Sequence, residues 1–413
     1  MPSQTDNSFK YLQNQLYFNN ISIANISKNR KTPYFLYSEE SLLRNIKIFK
    51  KLANDAFSKN IICYAYKANN NADVLNTISK NKIGADVVSL NELKLALKNN
   101  VPASKIVFSG IGKTRSEIRN AIKLTNGKIL SINTESYDEV ITIFEESQKL
   151  KTKVNISFRF NPNVDVKTHP YISTGKGNHK FGLNLCTIKK LISMKDLWKQ
   201  LKLVGISIHI GSQLTNLQAT KSALKKACKL YIELNKEFKL IYFDVGGGLG
   251  INYSHSKTNK IANINKYFDT IKTIIDNYFP LNKPIIIFEP GRILSANIGI
   301  IVTRVIRNKT INNENFVIID AGMTELIRPA LYQVYHKIFS TSKKQLLFDQ
   351  KVVGPICETS DYFGIHNLPN SKEDDLLVIA DCGAYGSVMS SRYNIRNKSK
   401  EYFAKKTHLN KFY

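Results

Sequence analysis

The sequence predicts an α/β protein in which a TIM-type (β/α)8 barrel is followed by a mostly-β domain. Between residues 36 and 292, short apolar runs alternate with segments whose apolar residues recur every three or four positions, as on an amphipathic helix. After residue 292 the helical segments largely disappear and β-like runs remain. Roughly eight alternations over ~250 residues are typical of a barrel, whereas an open doubly wound sheet usually has fewer strands. We therefore assign 36–292 to the barrel, and 1–35 together with 293–413 to the second domain.

Each predicted strand comes from one apolar run. The barrel runs are Ile61–Tyr66, Ala85–Ser89, Ile106–Ser109, Ile129–Asn133, Val154–Phe160, Val204–Ile210, Ile241–Val245 and Ile285–Phe288. The helices between them include Leu90–Lys98, Arg115–Lys123, Ser136–Lys149, Gln218–Phe238 and Asn265–Tyr278. The β-like runs of the second domain are Leu16–Phe18, Tyr34–Tyr37, Ile298–Arg307, Asn315–Ile319, Gln350–Val353 and Leu376–Ile379.

The chain is strongly basic, with a formal net charge of +28 from 60 Lys and Arg residues against 32 Asp and Glu residues. The lysines are scattered over predicted helix faces and loops, and no nucleic-acid-binding motif is present. We therefore attribute the charge to a compositional bias toward Lys, Asn and Ile, and we expect no nucleic-acid partner. Such a field would still attract anionic substrates.

Hydropathy and cysteine usage indicate a reducing, cytoplasmic setting. No apolar run approaches the ~20 residues that span a bilayer, and the first residues contain no apolar core followed by a cleavage site. We therefore expect no membrane partner and no secretory signal. The 5 cysteines are odd in number, widely spaced and without a C-x-x-C pair, which argues against a disulfide framework and against a zinc site. We expect no metal.

The run Glu289-Pro290-Gly291-Arg292 carries the most informative chemistry. It directly follows the apolar run that ends at Phe288, and a Pro-Gly pair there ends a strand. The turn presents a carboxylate, bare backbone and a cation together. Backbone and arginine suit a phosphate, while the carboxylate suits a ring nitrogen that must stay protonated. The alternative is a surface turn with an ordinary ion pair.

Two other strand ends carry residues of related chemistry. Lys67 follows the first barrel run, where a lysine is well placed to have a lowered pKa and to form a Schiff base, although most lysines are solvated surface charges. His209 lies at the end of the sixth run, and Ser212 follows it. An imidazole there can lie flat on an aromatic cofactor and the hydroxyl can bind a phosphate, but a histidine satisfied in the core is an equal alternative.

A run of glycines, Gly246-Gly247-Gly248-Leu249-Gly250, follows the seventh strand. Several glycines in a row let backbone N–H groups approach an anion closely. The spacing does not fit the G-x-G-x-x-G pattern of dinucleotide-binding proteins. Since phosphate sites of barrels usually lie on the loops after strands seven and eight, this run and the Gly291-Arg292 pair predict a phosphate site.

The second domain adds further candidates. Arg328 and Tyr332 lie four residues apart, so on a helix they would share a face and could bind a carboxylate, unless they are an ordinary surface pair. Cys357 stands beside Glu358 in a Gly-Pro turn, although a lone cysteine is more commonly an inert buried thiol. Tyr385 lies on a glycine-flanked turn after a β-like run.

These blocks together resemble the diaminopimelate decarboxylases, a family of pyridoxal-phosphate enzymes with an alanine-racemase-like barrel. The resemblance extends from about Pro33 to Asn394. It is carried by Tyr64–Asn69, His209–Gln213, Asp244–Gly250, Glu289–Arg292, Asp320–His336, Gly354–Asp361 and Asp381–Asn394. It implies decarboxylation of meso-2,6-diaminopimelate to L-lysine and CO2, the last step of lysine biosynthesis, and a Greek-key-like barrel for the β domain.

The resemblance also implies a role for each matching residue. Lys67 would hold pyridoxal 5'-phosphate (PLP) covalently, His209 would stack on its ring, and Glu289 would pair with its ring nitrogen. The phosphate would be held by Ser212, Gly247, Gly248, Pro290, Gly291, Arg292 and Tyr385. The substrate would be contacted by Arg159, Arg292, Arg328, Tyr332, Glu358 and Tyr385. Cys357 would be the proton donor, reaching into the partner's site of a homodimer with shared active sites.

Three alternative functions would each require different residues from those present in this sequence. A decarboxylase of ornithine, arginine or a related basic amino acid would have no use for distal arginines, because such substrates lack a distal carboxylate. An alanine racemase usually places a cation, not an acid such as Glu289, against the ring nitrogen. A cofactor carrier would not need the β domain, and an inactive regulator would be expected to have lost Lys67 or Cys357.

Overall fold

The computed structural model describes residues 8–164, 180–256 and 263–405. The outer ends of the predicted β domain, 1–7 and 406–413, therefore lie outside the described residues. The N-terminal part forms a small antiparallel sheet of three strands, β1 (Phe9–Leu12), β2 (Gln15–Phe18) and β3 (Ile21–Ser22), followed by α1 (Ile23–Ser27) and β4 (Tyr34–Ser38). Leu16 and Phe18 are buried there against Ile23.

The next eight strands close into a parallel barrel, as predicted. They are β5 (Asn60–Ala65), β6 (Gly84–Val87), β7 (Ile106–Phe108), β8 (Ser131–Thr134), β9 (Val154–Arg159), β10 (Leu201–Ser207), β11 (Tyr242–Asp244) and β12 (Ile285–Phe288). The ring closes where β12 pairs in parallel with β5. All eight strands therefore end at the same edge of the barrel, which is where the predicted functional residues follow them.

Helices cover the outside of the barrel. They are α2 (Glu39–Ala56), α3 (Ala72–Lys80), α4 (Leu90–Lys98), α5 (Arg115–Thr125), α6 (Tyr137–Lys149), α7 (Leu185–Ser193), α8 (Leu197–Gln200), α9 (Gln218–Phe238) and α10 (Ile264–Tyr278). Most of them, but not α8 and α9, begin after a short polar side chain that accepts a hydrogen bond from a first-turn N–H, as Ser89 does for α4 and Ser136 for α6. Thr114 and Glu117 form a reciprocal capping box at α5. The predicted helices Leu90–Lys98 and Gln218–Phe238 match exactly.

The interior of the barrel changes from apolar to polar along its axis. One end is filled by a cluster of Cys63, Val107, Leu130 and Ile287. Farther along, buried hydroxyls and carboxyls take over, beginning with a 2.7 Å hydrogen bond between the Ser131 and Ser157 hydroxyls. The apolar layer fixes the strands, and the polar layer above it forms the floor of the candidate site.

The second domain is mostly β, as predicted. It contains α11 (Arg292–Ser295), β13 (Gly299–Ile311), β14 (Glu314–Ile319), α12 (Arg328–Tyr332), β15 (Ile338–Ser340), β16 (Phe348–Val353), β17 (Tyr362–Leu368), β18 (Leu376–Ile379) and β19 (Lys400–Ala404). The strands pair in the order β15-β18-β13-β14-β16-β17. The long β13 also pairs with β4, which pairs with β19, so strands from before and after the barrel join one sheet. The Greek-key-like closure and the exact domain limits stay predictions.

Several strand boundaries differ from those expected from the apolar runs. The first barrel strand ends at Ala65, and Tyr66–Ala68 form one turn of 3-10 helix that carries Lys67. The sixth strand begins at Leu201 and ends at Ser207, so His209 lies in the loop beyond it. The reason is that strand ends are set by pairing with neighbours, while apolar runs continue into the packed loops that cover the barrel mouth.

Neither a membrane-crossing helix nor a metal cluster is found in the described ranges. No helix there has both the length and the apolar character to cross a bilayer. No group of three or more His, Cys, Asp or Glu side chains among the described residues could hold a metal ion.

Asp361 organises the turn between β16 and β17. The carboxylate is buried and accepts the backbone N–H groups of Met323 at 2.6 Å and Ile356 at 2.8 Å. A side chain at Gly354 would overlap this carboxylate, so the glycine is required for the approach. The turn that carries Cys357 and Glu358 is therefore fastened to the loop after β14.

We expect Asp361→Ala to lower the free energy of unfolding by about 1–3 kcal/mol, because two buried N–H groups lose their acceptor. Chemical denaturation of the variant and the wild type measures the difference. Asp349→Ala is the matched control: Asp349 is an exposed aspartate of β16 that accepts one hydrogen bond from Asn367. It should change the free energy by no more than about 0.5 kcal/mol. Equal effects of the two substitutions would show that Asp361 does not fasten the turn.

Candidate active site

The carboxyl edge of the barrel contains a cavity of about 210 Å³. Every residue around it comes from a strand end or the loop that follows one. The lining residues are Lys67, Val88, Ser109, Gly110, Asn133, Arg159, Phe181, Ser207, Ile208, His209 and Glu289. Four predicted site residues, Lys67, Arg159, His209 and Glu289, are thus brought together, although they are far apart in the sequence.

Lys67 is held at the mouth of the cavity by an ion pair. Its Nζ contacts the carboxylate of Asp86, whose side chain is fully buried, while 33% of the Lys67 side chain remains exposed. Burial by itself lowers the pKa of Lys67, but the carboxylates of Asp86 and Glu289 outweigh it and raise the pKa above the ordinary value. The lowered pKa expected from the sequence is therefore wrong for the protein without a ligand, because that prediction did not include Asp86.

Glu289 is buried opposite the lysine. Its Oε1 atom is buried without a hydrogen-bond partner among the described residues. Burial raises its pKa well above the ordinary value, and the neighbouring carboxyls of Asp244 and Asp86 raise it further. Burial likewise raises the pKa of Asp244 to about 6. The barrel mouth therefore gathers carboxyl groups whose ionisation is unfavourable, and one of them offers an oxygen that is available to a cationic or proton-carrying group.

His209 is fixed against the cavity by its loop. Its Nδ1 accepts the N–H of Gly247 at 3.4 Å, and its backbone oxygen accepts from Arg159 at 3.5 Å. Burial lowers the pKa of His209 well below the ordinary value, and the charges of Arg159 and Lys67 lower it further. Arg159 itself pairs with the buried Glu135 at 2.7 Å. A neutral imidazole therefore faces the cavity.

The glycine run after β11 lies against the turn after β12. A side chain on Gly247 would overlap the Glu289 carbonyl oxygen, and Gly248 has a φ of +98°. Both positions therefore require glycine, the first for close approach and the second for its backbone conformation. A second cleft is lined by Gly246, Gly247, Gly248, Leu249, Pro290, Gly291, Arg292 and Ile293, with Phe49 and Tyr267. The two predicted phosphate loops thus form one cleft.

Arg292 and Tyr385 close this cleft from the second domain's side. Arg292 donates to the Ser212 hydroxyl at 2.8 Å and to the Tyr253 hydroxyl, and its guanidinium carbon lies 4.7 Å from the centre of the Tyr385 ring. The Tyr385 backbone N–H donates to the Ala68 oxygen at 2.8 Å, directly beside Lys67. The lysine turn, the serine and the arginine are therefore held in one arrangement.

Arg328 is buried beside Arg292. The alternative interpretation of the sequence, that Arg328 belongs to an ordinary pair on a helix surface, is therefore wrong. Only 2% of its surface is exposed, and its guanidinium carbon lies 4.4 Å from the centre of the Tyr253 ring. It donates to Nε2 of His336 at 2.6 Å. Tyr332, four residues on, is half-buried at the other end of α12. The chain therefore keeps two arginine side chains side by side in its interior.

Cys357 and Glu358 lie on an exposed turn and do not line the Lys67 cavity. The Cys357 sulfur accepts from the side-chain amide of Asn394 at 3.4 Å, and Glu358 accepts from the Tyr393 hydroxyl at 2.8 Å. The structure therefore brings these two residues together with each other and with the 393–394 turn, but apart from the barrel cavity of the same chain.

The sequence analysis missed several residues of the site. Asp86 lies within an apolar strand, and the presence of a charged residue inside an apolar run was the signal that could have identified it. His336 was noted only as the end of a motif. Glu135 and Tyr253 carried no local signal, because their partners Arg159 and Arg292 are distant in the sequence.

Comparison with known proteins is consistent with this geometry. The family model for the pyridoxal-binding domain of pyridoxal-dependent decarboxylases matches residues 43–296. The diaminopimelate decarboxylase of Aquifex aeolicus is 36% identical over 397 residues, covering 95% of this chain and 91% of the relative. That of Helicobacter pylori is 40% identical over 384 residues, covering 91% and 90%.

A solved structure agrees over almost the whole chain. The diaminopimelate decarboxylase of M. jannaschii, in complex with L-lysine, superposes with a TM-score of 0.88 at 34% identity, covering 98% of this chain and 94% of that one. Both domains of the fold are therefore shared. From its barrel to its β domain, the chain belongs to the diaminopimelate decarboxylase family of pyridoxal-dependent decarboxylases.

Proposed function

We propose that this chain decarboxylates meso-2,6-diaminopimelate to L-lysine and CO2 with PLP, as the last step of lysine biosynthesis. The observation that carries the proposal is that Lys67 and Glu289 face one cavity, and that the buried Oε1 atom of Glu289 has no hydrogen-bond partner among the described residues. In addition, two buried arginines, Arg292 and Arg328, form no ion pair among the described residues. The first pair suits an amine-reactive aromatic cofactor. The second suits an anion, and a substrate with a carboxylate at each end supplies one.

The described residues fit PLP. Lys67 is the amine at the cavity mouth, His209 presents a neutral ring to the cavity, and the partnerless oxygen of Glu289 is an acceptor for a pyridine N–H. The phosphate would be held by Ser212, Gly247, Gly248, Pro290, Gly291, Arg292 and Tyr385. When bound, PLP supplies the sink for the electron pair that remains when CO2 leaves.

The chain's own residues then have separate tasks. Glu289 Oε1 would hold a proton on the ring nitrogen, and the charge of that ring would lower the cost of burying the carboxylate. Lys67 Nζ would hold the cofactor at the mouth of the cavity. Arg159 is already neutralised by Glu135, so in this proposal it orients the His209 loop instead of binding a free carboxylate.

The proposed specificity comes from the second domain. The distal carboxylate would contact Arg328 and Arg292, with Tyr332 and Tyr385 beside it, and the distal ammonium would pair with Glu358. Ornithine and arginine lack the distal carboxylate, so they would leave two buried cations without a counter-charge. A racemase usually faces the ring nitrogen with a cation, and Glu289 has the opposite sign.

We further propose a cytoplasmic homodimer with shared active sites. The exposure of Cys357 and Glu358, and their separation from the Lys67 cavity of the same chain, support this arrangement. In a closed dimer the partner's turn would cover the cavity. The Cys357 thiol would then deliver a proton to the carbon that has lost CO2, and Glu358 would complete the contacts to the substrate.

Lys67→Ala should abolish turnover and remove the visible absorbance of the bound cofactor at about 420 nm, since the covalent link to the lysine amine is lost. Absorbance spectra of the purified variant and CO2 release from meso-diaminopimelate measure both effects. Lys98→Ala, which changes an exposed lysine of α4, is the control and should keep both. A Lys67→Ala variant that retains the band and the activity would remove Lys67 from the proposal.

Glu289→Gln should retain the cofactor but lower kcat by about 100-fold or more, because a neutral amide no longer stabilises the protonated ring. Steady-state kinetics with spectrophotometric cofactor titration separates the two effects. Glu373→Gln, in an exposed loop, should behave as the wild type. Unchanged kcat in Glu289→Gln would show that this carboxylate does not face the ring nitrogen.

Mixing inactive Lys67→Ala and Cys357→Ala homodimers under conditions of subunit exchange should restore about a quarter of the wild-type activity. Random pairing makes half of the dimers mixed, and each mixed dimer has one intact site of two. The control mixes Lys67→Ala with Glu289→Gln, whose altered residues share one barrel, and should regain no more than the residual activity of Glu289→Gln. If mixing with Cys357→Ala also restores nothing, the shared site is excluded.

A further inference from the structure

Two arginine side chains lie together in the interior without an acidic partner. Arg292 and Arg328 are 7% and 2% exposed, and their guanidinium carbons lie 5.8 and 4.4 Å from the centre of the same Tyr253 ring. Neither forms an ion pair among the described residues, and the Nε atom of each is a buried donor without a partner there. Burying two unpaired cations is unfavourable, so the protein must hold them in place until an anion arrives.

Arg328 is held by a histidine. Its terminal nitrogen lies 2.6 Å from Nε2 of His336, and Nδ1 of His336 lies 2.8 Å from the Ala380 backbone oxygen. A guanidinium only donates hydrogen bonds and a carbonyl oxygen only accepts them. The His336 ring must therefore carry its proton on Nδ1 and present the Nε2 lone pair to Arg328. Only one tautomer of the neutral ring satisfies both contacts.

The position of the His336 ring is fixed by its surroundings. Only 1% of its surface is exposed, and its centre lies 4.6 Å from that of the Tyr253 ring. Tyr253 in turn accepts a hydrogen bond from Arg292. Burial lowers the pKa of His336 well below the ordinary value, and the charge of Arg328 lowers it further. The acceptor lone pair is therefore present throughout the neutral pH range.

We propose that His336 is a positioning residue that orients the Arg328 guanidinium for the distal carboxylate of the substrate. The Nε2 atom of His336 accepts a hydrogen bond from one terminal nitrogen of Arg328. The Nε atom of Arg328 has no partner among the described residues, so the edge of the guanidinium that contains it is available to the carboxylate. A planar guanidinium binds a carboxylate best through two parallel N–H groups, so its rotation decides whether both donors reach the ligand. The inference rests on the proposed function and adds a residue to which the resemblance assigned no role.

Two substitutions separate this role from a structural one. In His336→Gln the side-chain oxygen reaches about as far as Nε2 and can accept from Arg328, but the contact to Ala380 is lost. In His336→Asn the side-chain amide reaches about as far as Nδ1 and can donate to Ala380, but the contact to Arg328 is lost. The positioning role predicts that Gln preserves function and Asn does not. A purely structural role predicts the reverse.

Two ligands distinguish binding of the distal carboxylate from binding to the rest of the site. L-lysine keeps that carboxylate, whereas 1,5-diaminopentane lacks it. Both are titrated against the PLP-loaded protein, with the cofactor absorbance as the signal, and kcat and KM for meso-diaminopimelate are measured in parallel. Cofactor affinity and thermal stability of each variant are recorded as independent readouts.

We expect His336→Asn to weaken L-lysine binding and raise KM by about 10- to 100-fold, the scale of one hydrogen bond to a charged group. Binding of 1,5-diaminopentane and of PLP should stay at wild-type levels, and kcat should change by less than about threefold. His336→Gln should stay within about threefold of the wild type in every measurement. If the Asn variant does not fold, wild-type-like L-lysine binding by the Gln variant alone supports the role.

Three results would overturn the inference. These are a loss of L-lysine binding in His336→Gln equal to or larger than that in His336→Asn, a parallel loss of 1,5-diaminopentane binding, and a folded Asn variant with unchanged L-lysine binding. The proposed function fails separately, if the wild-type protein with PLP releases no CO2 from meso-diaminopimelate. In that case L-lysine would not discriminate between the variants.

Discussion

The rest of the site depends on one constraint, which is that several carboxyl side chains are buried away from water at the carboxyl edge of the barrel. Parallel strands end at one edge, so Asp86, Asp244 and Glu289 meet there within a small buried volume. Lys67 pairs with Asp86, and the remaining two carboxyls have raised pKa values because burial and their neighbours oppose ionisation. A protonated ring nitrogen beside Glu289 would relieve this strain, so PLP binding and the electrostatics of the barrel are linked.

The second domain takes part in this arrangement. Its chain returns to the barrel mouth at the turn after β18, where the Asn69 side chain donates to the Gly383 oxygen at 2.7 Å and Tyr385 donates to Ala68. The same turn places the Tyr385 ring against Arg292. A displacement of the β domain would therefore move the lysine turn and Arg292 of the glycine-lined cleft together. The domains act as one support for the site, although their folds differ.

The exposed turn that contacts Cys357 carries local backbone strain. Asn394 and Ile395 both have positive φ angles, +55° and +57°. Asparagine tolerates this region, but a β-branched side chain disfavours it, and Ile395 is 97% exposed. Exposed apolar surface, local strain and a thiol in one place are consistent with a surface that the partner subunit of the proposed homodimer covers.

The sequence by itself determined the architecture and most of the chemistry. Regular apolar periodicity predicted the eight-stranded barrel, and two helices, Leu90–Lys98 and Gln218–Phe238, were placed to the residue because their amphipathic faces are local features. The lysine, glycine and glutamate turns were also predicted to lie at one edge of the barrel, since each follows the end of a strand and parallel strands must end together.

Only the tertiary structure decided which charges neutralise one another. The contacts of Lys67 with Asp86 and of Arg159 with Glu135 join residues that lie in or just after different strands, so no local pattern reports them. The contact of Arg328 with His336 joins α12 to the segment after it, and it depends on how that segment folds back. The direction of the Lys67 pKa shift was mispredicted for this reason. The burial of Arg328 could not be read from its helix position either, because the packing of α12 against the loop of Tyr253, and not helical periodicity, decides which side chain faces the interior.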